Sequence, residues 1–269
     1  VTDPNARFQG AIPQNYDRHL GPLLFEPFAQ ALARRLPVEG MTRVLETACG
    51  TGILTRQLRE HLPSSARLVA TDLNEPMMDL ARNRLRAREG VEFRQADMAA
   101  LPFPDGSFDA VVCQFGLMFL PDKAQAVREA KRVLGKGGLY LLNVWDSLEA
   151  NELPRVAHEA IASFFVKDPP MFYQVPFSMH DRKALRALLA DAGFTDVKTE
   201  DVELDSTSPA AAELAIGLVE GNPVGEAVRE RGTVPIEIVI EAVATVVARA
   251  CGDRPVKARL RTITAIGRA

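Results

Sequence analysis

Val44-Leu45-Glu46-Thr47-Ala48-Cys49-Gly50-Thr51-Gly52-Ile53-Leu54-Thr55 carries an apolar run into a turn of small residues and then into a helical pattern. A strand feeding a glycine-rich turn and a helix N-terminus is the local architecture of a nucleotide site, because the first N–H groups of the helix are free to face a ligand. Gly50 and Gly52 let the backbone come close to that ligand. Glu46, where the strand ends, argues against a phosphate and for a hydroxyl or a cationic group.

Working outward, strand-like runs appear at Arg43 to Thr47, Arg67 to Thr71, Val91 to Gln95, Phe108 to Gln114 and Leu139 to Trp145. Leu54, Leu58 and Leu62 share one helical face between the first two, and Met77, Leu80, Ala81 and Leu85 do so between the next two. A further amphipathic helix is expected from Pro22 to Leu36, with Gly21-Pro22 as its start. Continuous apolar strands alternating with helices predict a parallel sheet covered on both faces, with every strand C-terminus on one edge. That edge is where a ligand should sit. After Trp145 the pattern changes to an aromatic, proline-containing segment from Asp146 to Met179, which predicts a partly helical cap. A helix from Asp181 to Ala192 stopping at Gly193 follows, then a strand near Val197 to Leu204. Two or three helices in Pro209 to Cys251 precede a last strand, Val256 to Ile266.

The 269 residues, 47% hydrophobic and 25% charged, are ordinary globular values and predict one elaborated domain or two small ones. A formal net charge of −3 supplies no general attraction to nucleic acid. Arg82, Arg84, Arg86 and Arg88 are expected on the solvated side of a helix. Cys49, Cys113 and Cys251 lack any paired spacing, which predicts neither a disulfide framework nor a metal site. No leader-like segment or long uncharged apolar run stands in the chain, so the expectation is a cytoplasmic protein without a transmembrane segment.

About 20 residues after Gly52, the second strand runs out at Asp72, where a carboxylate can accept both hydroxyls of a ribose. The third ends at Ala96-Asp97-Met98, a second carboxylate on the same edge. It can accept the exocyclic amine of an adenine lying between Leu73, Met77 and Met98. With these residues the chain resembles the class I S-adenosylmethionine-dependent methyltransferases, in particular the branch of ubiquinone and menaquinone C-methyltransferases and natural-product enzymes. The resemblance rests on Val44 to Gly52, Val69 to Asn74 with Met77-Met78, Gln95-Ala96-Asp97, Leu101 to Asp109, and Arg132 to Gly138. Ala48 stands where the family often has Gly, and Glu46 where Asp is frequent.

The resemblance implies an α/β fold: a Rossmann-like, doubly wound, seven-stranded sheet, mostly parallel with an antiparallel last strand, carrying helical cap or lid insertions. It implies S-adenosyl-L-methionine as cofactor and S-adenosyl-L-homocysteine as its product. The residues it assigns to cofactor binding are Tyr16, Glu46, Ala48, Gly50, Thr51, Gly52, Asp72, Leu73, Met77, Asp97, Met98, Gln114 and Phe115. The expected organisation is an arm and helix at 1–40 closing the cofactor site, the cofactor-binding core at 41–145, a cap at 146–180, and a core continuation at 181–207. A helical insertion at 208–252, serving as lid or homodimer contact, and the last core strand at 253–269 complete it.

Methyl transfer by in-line displacement at a sulfonium needs positioning and exclusion of water, and a base only if the nucleophile must lose a proton. No catalytic group is assigned on sequence grounds; His19, His158, His180 and Tyr173 are the candidates. His61, at the end of a helix, is expected on the far side of the sheet. The apolar cap suits a small lipophilic or aromatic acceptor. Gln114-Phe115-Gly116, in place of an Asn-Pro-Pro-Tyr signature, speaks against amino methylation of nucleic-acid bases. Two other readings share parts of the pattern. A nicotinamide-dependent oxidoreductase would need a third glycine at the helix start, and a non-catalytic module that binds the same cofactor would be expected to have lost some of these residues.

Overall fold

The computed structural model describes residues 4–85 and 90–269. Its strands are β1 Arg43–Thr47, β2 Arg67–Asp72, β3 Val91–Gln95, β4 Phe108–Gln114, β5 Leu134–Trp145, β6 Thr195–Ser208 and β7 Val256–Arg268. They form a 7-stranded sheet in the order β3-β2-β1-β4-β5-β7-β6. β1 to β5 run parallel, and β7 enters antiparallel between β5 and β6. This is the Rossmann-like, mostly parallel sheet with an antiparallel last strand expected above.

The central strands are apolar along their length because helices cover both faces. Val44, Leu45, Ala110, Val111 and Val112 are all sealed from solvent. The helices are α1 Ile12–Asn15, α2 Glu26–Ala33, α3 Ile53–His61, α4 Glu75–Leu85, α5 Lys123–Val133, α6 Glu152–Ala162, α7 Arg182–Asp191, α8 Ala211–Glu220, α9 Val224–Arg231 and α10 Ile236–Cys251. Side-chain caps fix two of their starts: Asp122 accepts from Gln125 N–H at 2.8 Å before α5, and Asp181 accepts from Lys183 N–H at 2.7 Å before α7. Each such cap contributes about 1 kcal/mol.

Two boundaries depart from the sequence reading. The first helical region does not begin at Pro22: helix runs from Ile12, and Pro22 lies inside a π-helical stretch, Tyr16–Phe25. A proline has no N–H to donate and its ring displaces the carbonyl of the preceding turn, so a wider turn absorbs it within the helix. β5 begins at Leu134, five residues before the expected Leu139, with an irregular register against β4 between Phe108 and Ala110. Glycines 135, 137 and 138 hid that extension, since they weaken the strand pattern.

The insertion forms the three helices α8, α9 and α10. Its two ends meet where Ala211 N–H donates to Asp253 O at 3.1 Å, so β6 and β7 pair in steady register from Lys198↔Ile266 down to Ser208↔Val256. The cap is α6 plus a single turn at Phe172–Gln174. Asn151, buried at the entrance to α6, ties the cap to β7 by accepting from Arg261 N–H at 2.8 Å and donating to Arg261 O at 3.1 Å. Arg82 pairs with Glu75 and Asp79, and Arg84 pairs with Asp17; Arg86 and Arg88 lie outside the described residues. No helix among the described residues is long and apolar enough to cross a membrane.

Candidate functional site

Parallel register brings the strand ends to one edge: Thr47 is level with Thr71 and Cys113, and Asp72 with Gln95. β1 is the point from which the chain winds outward in both directions, so a crevice opens there between the loops after β1 and β4. Backbone conformation marks both loops. Ala48 has φ 54° and Phe115 φ 51°, a left-handed conformation that costs an alanine or phenylalanine roughly 1–2 kcal/mol. The loops also interlock, since a Cβ on Gly116 would stand 2.4 Å from the Ala48 Cβ. Strain of this kind persists where surrounding packing holds it, and it clusters at ligand sites.

A cavity of about 410 Å³ occupies this edge. Tyr16, Ala48, Gly50, Asp72, Leu73, Met77, Asp97, Met98, Gln114 and Phe115 line it, which brings together ten of the expected cofactor residues. Glu46 and Thr51 instead line a small adjoining recess of about 30 Å³, shared with Tyr16, Ala48, Gly50, Gln114 and Phe115. Gly52 lines neither. It begins α3 at φ 79°, and a Cβ there would lie 2.9 Å from the Ala81 Cβ, so this glycine serves the close packing of α3 on α4.

The recess collects unsatisfied polar atoms. Glu46 Oε2, Thr51 Oγ1 and Gln114 Oε1 are buried without partners, an arrangement a native interior tolerates where a ligand completes it. Glu46 is 1% exposed, and burial pushes its carboxyl up to about 8, with the neighbouring Asp72 charge acting in the same direction. An amide oxygen and a hydroxyl beside a buried carboxyl suit a cationic amino group, such as that of a methionine moiety. Cys49, next to them, has its thiol pushed well up by burial, which reads as packing.

Asp72 accepts from Gly50 N–H at 2.8 Å and from Asn74 N–H at 2.7 Å. It thus holds the turn after β1 against the end of β2 while facing the cavity, and burial raises its carboxyl above the usual range against those hydrogen bonds. Leu73, 43% exposed, lines the cavity together with the buried Met77 and Met98. Those apolar surfaces and Asp97, whose Oδ1 accepts from Ala99 N–H at 2.8 Å, fit an adenine. The residues present therefore fit S-adenosylmethionine.

The N-terminal arm closes this end. Tyr16 stacks on Phe25 with centroids 4.5 Å apart, and Phe8 packs edge-on against it. Asn74 anchors the arm by accepting from Phe8 N–H at 3.4 Å and donating to Ala6 O at 3.3 Å. Sequence reasoning placed Asn74 in the motif but gave it no role, because its partners lie 66 and 68 residues away.

Past Gln114 the cavity turns aromatic. Trp145 stacks on Phe115 at 4.2 Å and 4°, flanked by Phe25 and Phe177. Phe119, Phe172, Tyr173, Leu218, Asn222 and Leu260 continue the lining. Of the four candidate catalytic groups, only Tyr173 faces the cavity. His19 lies against α8 at Gly217 and His158 beside the Tyr173 ring, both with burial pulling the imidazole down. His180 is exposed and bonded to Phe177 O at 2.9 Å. His61 ends α3 and reaches Leu36 O at 2.8 Å, away from the cavity.

A methyltransferase-domain family model matches residues 45–142. The ubiquinone/menaquinone biosynthesis C-methyltransferase UbiE of Cronobacter sakazakii is 35% identical over 173 residues, 58% of this chain and 67% of that protein. The same enzyme of Escherichia coli K12 is 34% identical over 172 residues, 57% of this chain and 66% of that protein. The matched region thus spans about two thirds of these relatives' length. Among solved structures, a putative methyltransferase from Bacillus halodurans superposes with a TM-score of 0.58 at 21% identity, covering 89% of this chain and 97% of that one. The phosphoethanolamine N-methyltransferase 2 of Haemonchus contortus gives 0.61 at 14%, over 99% of this chain and 60% of that one. At such identities the structural likeness is one of fold, and the sequence match carries the relationship. The turn after β1, the carboxylates closing β2 and β3, the β7 topology and this match agree: the chain belongs to the class I S-adenosylmethionine-dependent methyltransferases.

Proposed function

We propose that the chain transfers a methyl group from S-adenosylmethionine to a small, neutral, lipophilic acceptor by in-line displacement. The observation that carries this reading is the continuity of one cavity from Asp72 and Asp97 into the aromatic walls around Trp145 and Phe172. None of its described lining residues is Lys, Arg or His, so a phosphorylated or carboxylated acceptor would lose its hydration without a compensating cationic side chain. The cofactor, when bound, supplies a methyl already activated by the sulfonium. The chain's own residues orient it through Glu46 and Asp72 and exclude water with the Tyr16 arm and the cap. With no histidine on the cavity, the reading favours a nucleophile that reacts without an imidazole base.

The test is calorimetry with S-adenosylhomocysteine, followed by incubation with S-adenosylmethionine and a panel of lipophilic phenols, quinols and amines. Release of S-adenosylhomocysteine dependent on such an acceptor supports the reading. Turnover with phosphorylated acceptors alone would refute it, and tight product binding without turnover would favour a non-catalytic module. The insertion is read as the lid over the acceptor. A homodimer through α10, whose Ile238 is 47% exposed, is checked by sedimentation. A reducing, cytoplasmic setting accords with three free cysteines and is checked by cell fractionation.

A further inference from the structure

Two polar side chains in the roof of the cavity are not accounted for by the cofactor turn or the strand ends. Tyr173 comes from the cap after α6 and Asn222 from the turn after α8. Both line the cavity, at 4% and 8% exposure. Buried polar groups need partners, and theirs are carbonyls in the last turn of α8, of which Gly217 O also takes the Gly221 N–H at 2.8 Å. The Tyr173 hydroxyl donates to Leu218 O at 2.7 Å. Asn222 Nδ2 donates to Leu218 O at 3.2 Å and to Gly217 O at 3.4 Å.

The orientation of the Asn222 amide follows from proton counting. A carbonyl oxygen has no proton to give, so the end of the amide that faces two of them must be the NH₂. Both amide protons are then committed, and Oδ1 points elsewhere. The phenol has one proton and it too is committed; its oxygen also meets the Asn222 side chain, which leaves it a single free lone pair. A bond made to stabilise the end of α8 therefore leaves two acceptors and no free proton in an otherwise apolar roof.

We propose that Asn222 Oδ1 and the Tyr173 oxygen form a specificity subsite that reads a hydrogen-bond donor, an O–H or N–H, on a neutral methyl acceptor. This rests on the lipophilic-acceptor reading and narrows it. An ether or hydrocarbon at this position leaves both oxygens unpaired in a dry cavity, and a site built to bond a hydroxyl rejects the analogue lacking one. A carboxylate brings its own lone pairs against theirs. Cap and insertion, distant in sequence, thus combine into one recognition element.

Three aromatic probes of similar shape separate the possibilities: 1-naphthol, 1-methoxynaphthalene and 1-naphthoate, titrated with S-adenosylhomocysteine present. The signal is the fluorescence of Trp145, the single tryptophan of the chain and part of the cavity wall. Naphthol is expected to bind about tenfold tighter than the ether, with naphthoate weakest. Tyr173→Phe, which removes one oxygen, and Asn222→Leu should each cut the naphthol preference to roughly threefold or less. Each should leave the ether's own affinity within about twofold, a pattern that loss of a merely structural bond would not produce. If Asn222→Leu unfolds, Tyr173→Phe alone decides. Equal binding of naphthol and ether, or a preference that survives the substitutions, overturns the subsite while leaving the lipophilic reading standing. Failure of all three probes to bind a chain that still binds S-adenosylhomocysteine overturns both.

Discussion

Glu46, one residue before the end of β1, has one oxygen unpartnered and a carboxyl that burial pushes up to about 8. A cation placed beside it favours the ionised form, so binding of the cofactor amino group expels a proton wherever Glu46 is protonated. Affinity for S-adenosylhomocysteine should therefore rise by up to about tenfold per pH unit approaching pH 8 and level off above it. Glu46→Gln should bind more weakly and flatten that dependence in calorimetry. The unliganded chain should show the opposite trend. Between the ordinary value of 4.5 and about 8 the folded state holds the extra proton, so stability falls as pH rises through that window. At pH 8 the unliganded Glu46→Gln variant should therefore melt above the native chain. Asp72→Ala removes the carboxylate proposed to accept the ribose hydroxyls and also the bonds to Gly50 and Asn74. A loss of at least tenfold in cofactor affinity, about 1.4 kcal/mol, is expected, and a change within twofold would remove Asp72 from the cofactor site. The placement of Glu46, Asp72 and Asp97 along one sheet edge was legible because residue type and strand end coincide. The packing of α3 on α4 at Gly52 was not legible, because a glycine needed for close helix packing looks, in sequence, like one needed for ligand approach.

The loops after β1 and β4 are held against each other, and Gly116 is where they touch. A Cβ there would stand 2.4 Å from Ala48 Cβ and 3.1 Å from Cys113 Sγ, so Gly116→Ala should cost about 1–3 kcal/mol, read by urea unfolding. α8 meets the Tyr16–Phe25 stretch in a second glycine contact: a Cβ on Gly217 would lie 2.7 Å from His19 Cβ and 2.8 Å from Leu20 Cδ2. Gly217→Val should push the insertion off the arm and so weaken S-adenosylhomocysteine binding as well as turnover. Loss of turnover alone would mean that the arm closes independently of the insertion. Strands and helix alternation were readable from periodicity, since burial leaves its period in the sequence, and the insertion was readable as two or three helices from its composition and its Gly and Pro breaks. The π-helical stretch was not, because Pro22 reads as a helix start until the turns packed on both sides of it are known.

The cofactor end and the acceptor end belong to one cavity whose walls come from every part of the chain. Tyr16 and Phe25 arrive from the arm, Asp72 and Asp97 from strand ends, Trp145 from β5, Tyr173 from the cap and Asn222 from the insertion. Ligand bound only by the folded state stabilises it by mass action, so S-adenosylhomocysteine at about 100 times its Kd should add roughly 2.7 kcal/mol, seen as a rise in Tm. Read alone, the chain specifies the sheet, the glycine turn, the acidic strand ends and hence the cofactor, because strand, turn and helix start are covalent neighbours and their chemistry is set locally. The floor and roof of the acceptor cavity came from the folded state. They depend on pairs such as Gln114 with Phe25, 89 residues apart, and Tyr173 with Leu218, 45 apart. Hydrophobic periodicity records that a side chain is buried and carries no mark of which distant residue it will meet.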